Sequence, residues 1–411
     1  MNLRSVRELD VANKPVLVRA EFNVPIEKSA VLDDSRIKAV MPTLEYLAKH
    51  KAKIIICAHL GRPKGWDDEL SLEPVAERLA HLWGRKLAVI DEKTNRLPEY
   101  SIPHVYFFKH NLEKAADDVR SLIQSMQPGD AVLLENLRFY PGEDDNDQKF
   151  AKLLASLASL YVNEAFGVSH RSHASLVGLA ALLPAGAGLS LEKEVHALEK
   201  VIRHPKKPLV VMMGGIKLSD KARVIEHLAK VADAILLGGG LANLFLKVRG
   251  YEVGKSLSEE KGEIKIAKQL LRDHRDKIKL PTDVVVSTSR NGRAECVKID
   301  KVKSSNMILD VGPETIMQYS KYIRQAKTLI WNGPLGHFES KSFSHGTFAL
   351  ARLFASRTKS SVYGIVGGGE TLEVVSRLGI GPYIDHVSTG GTAMLEFLGG
   401  KELPALKALE K

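Results

Sequence analysis

Only two cysteines, Cys57 and Cys296, occur in 411 residues, and they lie far apart. That excludes a disulfide framework and a zinc site built from thiolates. No apolar run approaches the roughly 18 residues that a membrane-spanning helix needs. The opening residues, MNLRSVRELDV, lack the apolar stretch of a secretion signal, so a cytoplasmic chain is expected. No HExxH or similar ligand spacing suggests a resident metal. There is no long Lys/Arg block and no aromatic RNA-binding motif. Two phosphate-binding signatures are also missing. G-x-x-x-x-G-K-[ST] fails at GKS (254–256), where Arg249 replaces the earlier glycine. G-x-G-x-x-G fails at GGGLAN, where Asn243 takes the place of the third glycine.

What is present is a long, ordinary globular composition, 44% hydrophobic and 26% charged, with a net charge of +10. The length suits two domains better than one core. The basic balance suggests anionic partners, and its location decides which kind.

Strand, turn and helix alternate along the chain. PVLVRAEFNV (15–24), KIIICAHL (53–60), AVLLENLRF (131–139) and LYVNEAF (160–166) read as strands. In the second half, LVVMM (209–213), AILLGGG (234–240), DVVVSTS (283–289), TLIWNG (328–333), VYGIVGGG (362–369) and HVST (386–389) do so. Near-continuous apolar runs fit strands covered on both faces, so parallel sheets are expected. Between the strands lie helical patterns; Ile37, Val40, Met41, Leu44 and Leu47 share one face, with Asp33, Asp34 or Ser35 available as a cap. The expected class is α/β, with two Rossmann-like domains joined by a helical hinge. The boundary falls near Pro184, Gly186 and Gly188, giving domains 1–185 and 186–396 with a linking helix at 190–203.

Ligands of parallel sheets bind beyond the C-terminal ends of strands. In the first half those places hold Arg19, Glu21 and Asn23 at period two, then Arg36, His59, Arg62, Arg138, His170, Arg171 and His173. A single Arg or His after a strand is usually a surface or capping residue. The same offset at four or five strand ends points instead to one bound anion, because guanidinium forks match carboxylate and phosphate. The second half has glycine turns at GGIKLSDK, GGGLAN, GGGETL and STGGTA, each between an apparent strand and helix. Free N–H groups at helix starts suit phosphates, and Lys217 and Lys221 stand beside the first turn. Asn332, Gly333, Pro334 and Glu339 add an exposed-looking turn in which Glu339 can accept from a ribose hydroxyl.

These segments together resemble the phosphoglycerate kinase family. RAEFNVP, DDSRIKAVMPT, AHLGRP, LLENLRF, NEAFGVSHRSHAS, GGIKLSDK, LLGGGLANLF, DVGPET, WNGPLGHFE, GGGET and VSTGGTAMLEFLGGKELP carry the resemblance in order, from about residue 16 to the end. It implies direct phosphoryl transfer between 1,3-bisphosphoglycerate and Mg-ADP, giving 3-phosphoglycerate and ATP after hinge closure. It implies a cytoplasmic monomer of glycolysis and gluconeogenesis, with Mg²⁺ arriving on the nucleotide and neither nucleic acid nor membrane as partner. Segment 397–411 would return to the first domain. Glu21, Asn23, Arg36, His59, Arg62, Arg138 and Arg171 would bind the glycerate substrate. Gly215, Lys217, Lys221, Gly240, Asn332, Pro334, Glu339, Gly368, Gly369, Glu370 and Thr371 would bind nucleotide, with Glu370 toward the metal. Arg36, Lys217, Gly369 and Gly391 would face the transferred group. Glu21 and Glu370 stand where the family has aspartate, Ile216 where it has alanine, and Thr392 where it has a third glycine. Ile216 is expected to narrow the adenosine pocket, and Thr392 to resist a positive φ. The alternatives are an altered family member that binds nucleotide or nucleic acid, and a dinucleotide-dependent dehydrogenase; the missing G-x-G-x-x-G counts against the latter.

Overall fold

A computed structural model describes residues 1–91, 103–256 and 261–411. The chain divides into two compact units, one of Met1–Val195 with Glu402–Lys411, the other of His196–Lys401. The helix Leu189–Arg203 contains the division, and Pro205 follows two residues after its end. Among the described residues no helix is long and apolar enough to cross a membrane.

The first unit is built on seven parallel strands in the order Lys86–Ile90, His104–Phe108, Ala131–Leu134, Lys53–Cys57, Pro15–Arg19, Leu160–Asn163 and Ala185–Ala187. Both faces of the central strands are covered, which is why their sequences are almost wholly apolar. The helix Ser35–Lys49 buries Ile37, Val40, Met41, Leu44 and Leu47, the face its 3.6-residue spacing marks. Asp33 accepts from the Ser35 N–H at 2.9 Å, while Asp34 instead pairs with Lys38 at 2.8 Å and Arg78 at 2.5 Å. At the other end of the chain, Leu403, Ala405 and Leu406 are buried in this unit. The Ala405 N–H bonds the Ser169 carbonyl at 3.2 Å, and Lys411 pairs with Glu8 at 2.6 Å.

The second unit has six parallel strands in the order Ile278–Lys279, Ala234–Leu237, Leu209–Met213, Thr328–Asn332, Tyr363–Gly367 and His386–Ser388. One run expected as a further parallel strand lies outside this sheet. Asp283–Ser287 pairs antiparallel with Glu295–Lys298 and Met307–Val311 in a separate small sheet. Val284 and Val286 bury against Leu246, Val253, Ile299 and Val302, a core of its own. The apolar run reports burial, which this small core satisfies without a place in the main sheet.

Several strands are shorter than their apolar runs. Those read as 15–24, 53–60 and 131–139 stop at Arg19, Cys57 and Leu134. Ala20, Phe22, Ala58, Leu60 and Leu137 stay buried beyond the ends, so the apolar pattern continues into packed loops.

Glu164 follows the strand Leu160–Asn163 and caps the start of the helix Leu189–Arg203. It accepts from the Ser190 N–H at 3.1 Å, the Leu191 N–H at 3.0 Å and the Thr43 hydroxyl. Burial pushes its carboxyl up to about 7, against the pull of those donors. A raised carboxyl pKa means the folded state holds its proton where the unfolded chain has released it. Stability therefore declines as pH rises from about 4.5 to about 7, then levels off. In Glu164→Gln, thermal melts across that window lose this part of the slope, on the order of 3 kcal/mol end to end. A variant with the parent's slope would show that Glu164 ionises normally.

Candidate functional site

In the first unit, the loops after four strands and the start of one helix bring the expected anion ligands into one neighbourhood. Arg36, the second residue of the helix Ser35–Lys49, donates through Nη1 to the Asn23 carbonyl at 2.5 Å and to Glu21 Oε1 at 3.3 Å. The Asn23 side chain accepts from the Gly61 N–H at 2.9 Å, tying the first loop to the second. Arg138 donates to the Gly61 carbonyl at 2.6 Å, tying the third loop to the same point. Its Nε is buried without a hydrogen-bond partner, although Asp144 lies 3.6 Å away. Burial and the neighbouring Arg19, Arg171 and Arg62 push the Arg138 guanidinium down from its usual range, with Asp144 opposing them. His59 is 2% exposed. Burial, then Arg19, Arg138, His173 and Arg36, hold it well below the usual imidazole value, so it is neutral. Glu21 is driven up by burial and restrained by Arg36, Arg19 and Arg138; its Oε2 is buried and unpartnered. Such crowding of like charge is costly unless an anion fills the space between.

One expected neighbour is arranged differently. Period-two spacing places Arg19 on one face with Glu21 and Asn23, but the strand ends at Arg19. Its side chain is fully buried and turns to Ser175 and His59.

In the second unit, Gly215, Gly240, Pro334, Glu339 and Glu370 line a cavity of about 290 Å³. Three turns meet there. The Gly215 N–H bonds the Pro334 carbonyl at 3.1 Å, and the Gly239 N–H bonds the Leu335 carbonyl at 2.8 Å. The Asn332 amide donates to the Gly367 carbonyl at 2.7 Å, and the Gly333 N–H donates to Thr371 Oγ1 at 2.7 Å. Lys221 bonds the Gly214 carbonyl, and its Nζ lies 2.7 Å from where a Cβ on Gly215 would stand. Burial pulls that ammonium down to about 8, against Glu370 and Asp220. An incoming phosphate would push it back up and hold the ammonium fully charged.

Gly368 has φ +100°, and the helix Gly369–Leu378 begins immediately after it. The first turn of a helix leaves its N–H groups without intrahelical partners, and a Cβ on Gly369 would meet nothing within 4 Å. Gly391 repeats the arrangement with φ +51° and open space at the start of Gly391–Leu398. The positive φ falls on Gly391 rather than on Thr392, which lies within that helix, so the strain expected of Thr392 does not arise. Lys217 is exposed on the loop after Ile216, outside the cavity lining. Ile216 is 57% exposed and forms part of the cavity wall.

The cavity also has walls that no glycine turn announces. Met307, Ile308 and Leu309 give it an apolar side, and Lys255 and Arg290 give it cations. His337 pairs with Glu339 at 2.9 Å. Met307–Leu309 and Arg290 belong to the small antiparallel sheet and the loop after Asp283–Ser287, whereas His337 and Glu339 follow the main-sheet strand Thr328–Asn332. Among the described residues there is no cluster of three or more His, Cys, Asp or Glu able to hold a metal alone. Glu370 offers a single carboxylate, which suits a Mg²⁺ held mainly by nucleotide phosphates and water.

Comparison with known proteins identifies the family. The family profile of phosphoglycerate kinase matches residues 6–401. A phosphoglycerate kinase of Pelotomaculum thermopropionicum is 43% identical over 419 residues, covering 100% of this chain and 99% of that protein. That of Thermomicrobium roseum is 42% identical, covering 99% of each. Among solved structures, phosphoglycerate kinase from Coxiella burnetii superposes with a TM-score of 0.84 at 37% identity, covering 99% of this chain and 98% of that one. The enzyme from Pyrococcus horikoshii gives 0.80 at 29% identity, with 99% and 98% coverage.

Proposed function

The chain belongs to the phosphoglycerate kinase family, and from that premise we propose how its residues divide the work of one phosphoryl transfer. The reaction moves a phosphoryl group reversibly between 1,3-bisphosphoglycerate and Mg-ADP, giving 3-phosphoglycerate and ATP. The first unit takes the glycerate substrate and the second takes the nucleotide. The observation that carries this division is the convergence of Arg36, Arg62, Arg138 and Arg171 with neutral His59 in the first unit.

Phosphoryl transfer needs position and charge stabilisation rather than a side-chain nucleophile. Glu21 and Asn23 orient the loop that meets the glycerate, while His59 and the guanidiniums bind its carboxylate and phosphate oxygens. Arg36 and Lys217 act on the moving group, with N–H groups at Gly369 and Gly391 as further donors. Lys221 and the turns at Gly215, Gly240, Asn332, Pro334 and Gly368 receive the nucleotide phosphates. Thr371 holds the 332–333 turn through its hydroxyl. Glu339 takes the ribose, and Ile216 narrows the wall beside the nucleoside. Glu370 would supply one carboxylate toward the Mg²⁺ of the nucleotide substrate, which when bound would neutralise phosphate charge. The nucleic-acid reading is not favoured, because these cations gather at strand ends instead of tracking a groove along the surface.

The test is a coupled assay of ATP formation from 1,3-bisphosphoglycerate with ADP and GDP in parallel. For Glu370→Ala, KM for Mg-ADP rises roughly 10–100-fold, the usual cost of disturbing groups around a metal. Affinity for 3-phosphoglycerate stays at the parent's value. Equal losses for both substrates would remove Glu370 from the nucleotide side.

A further inference from the structure

Behind the anion site, the buried Arg19 side chain is bonded on every side by protein. Nε donates to Ser175 Oγ at 2.7 Å, Nη1 to the Ala20 carbonyl at 2.5 Å, and Nη2 to Nδ1 of His59 at 3.1 Å. Glu143 is fully buried and lies 3.9 Å from Nη2 of Arg19. It accepts from the Ser175 hydroxyl at 2.6 Å and from the Ser175 N–H at 2.9 Å. The chain of contacts thus runs from Glu143 through Ser175 and Arg19 to the ring of His59. Its members come from distant segments, so no local motif displays it.

A guanidinium has donors and no acceptor. Nδ1 of His59 must therefore be the acceptor in the Arg19 bond, and the neutral ring carries its proton on Nε2. Resting on the assignment of the first unit to the glycerate substrate, we propose that Arg19, held by Glu143 and Ser175, is a positioning residue. It fixes His59 as the Nε2–H tautomer and so presents the substrate with a neutral donor that does not titrate across physiological pH.

The surroundings of His59 support this. Arg19, Arg138, Arg36 and His173 all face it, and each disfavours a charged ring. Protonation at Nδ1 would also set two donors against each other along the Arg19 contact. The nearby carboxylates are engaged elsewhere: Glu143 is shared by Arg19 and His173, the latter 3.6 Å away, and Glu21 pairs with Arg36. Arg19 thus contributes a directed hydrogen bond, while Glu143 compensates its buried charge.

The test is a long-range ¹H–¹⁵N correlation spectrum of the histidine rings in the intact chain. The expected spectrum has His59 unprotonated at Nδ1 and protonated at Nε2, without titration between about pH 5.5 and 8. A proton on Nδ1, or titration near the ordinary imidazole value, would overturn the proposal. The charge-balanced double variant Arg19→Met, Glu143→Gln should populate both neutral tautomers of His59, while burial, the largest restraint, keeps the ring uncharged. Its Kd for 3-phosphoglycerate should then rise roughly fivefold to tenfold over the parent's, the loss expected when one hydrogen bond is no longer directed. An unchanged Kd, or a single tautomer retained in the variant, rejects Arg19 as the positioning group. Should the double variant not fold, Ser175→Ala removes only the hydroxyl between Arg19 and Glu143; a mixed tautomer is expected and an unchanged one counts against the relay. A parent chain with the expected spectrum that fails to bind 3-phosphoglycerate would reject the substrate assignment and leave the tautomer assignment standing.

Discussion

Arg36→Ala lowers kcat for ATP formation by roughly 10²–10³-fold, the usual loss when a donor to developing charge is removed. Arg36 stands at the first turn of its helix with its side chain 33% exposed. Among the described residues, both of its hydrogen bonds use Nη1, to the Asn23 carbonyl and to Glu21. Nε and Nη2 remain for a ligand, and the two bonds hold the fork in place. Arg36→Lys keeps the charge but not the fork, so its rate falls between parent and alanine variant. Stability falls by roughly 1–3 kcal/mol, because Arg36 is partly exposed but Glu21 is buried and loses its leading cationic restraint. Without Arg36, burial drives the Glu21 carboxyl further up. Steady-state kinetics with a thermal melt check this. A rise in KM at unchanged kcat would make Arg36 a ground-state ligand only.

Much of this arrangement is legible in the sequence because parallel strands buried on both faces leave long apolar runs. Residues two to four places after those strands, such as His59 after Lys53–Cys57 and Arg138 after Ala131–Leu134, then fall on one edge of the sheet. The same logic fails where burial has another cause. Asp283–Ser287 is apolar because it caps a small core of its own. Phe22 and Leu60 are apolar because the loops themselves pack. Arg19 looked like a ligand by its period, yet its partners Glu143 and Ser175 lie more than a hundred residues away and carry no signal near it. The apolar wall Met307–Leu309 escaped notice for a similar reason. It has no glycine turn and reaches the cavity only through the antiparallel pairing of its strand.

Gly214→Ala is expected to destabilise the second unit by roughly 3 kcal/mol, which for a unit of this size lowers Tm by roughly 6–12 °C. Gly214 follows the strand Leu209–Met213, and its N–H bonds the Asn332 carbonyl at 3.0 Å. A Cβ there would stand 2.5 Å from the Pro334 carbonyl carbon and 3.0 Å from the Gly333 oxygen. Both are backbone atoms, so no side-chain rotation relieves the overlap. The 332–335 turn must move, and with it Pro334 in the cavity wall and the Gly215 N–H bonded to its carbonyl. Mg-ADP affinity therefore falls together with Tm, while 3-phosphoglycerate binding by the first unit is retained. Gly369→Ala is the control. A Cβ there meets nothing within 4 Å, its φ is not positive, and alanine favours the helix it begins. Its Tm stays at or above the parent's, and any loss of kcat then belongs to the approach of the phosphoryl group rather than to folding. Calorimetric melts with ADP titrations separate the two cases. A Gly214→Ala protein that melts like the parent and binds ADP equally well would mean that the two turns are not packed as tightly as the bonds between them imply.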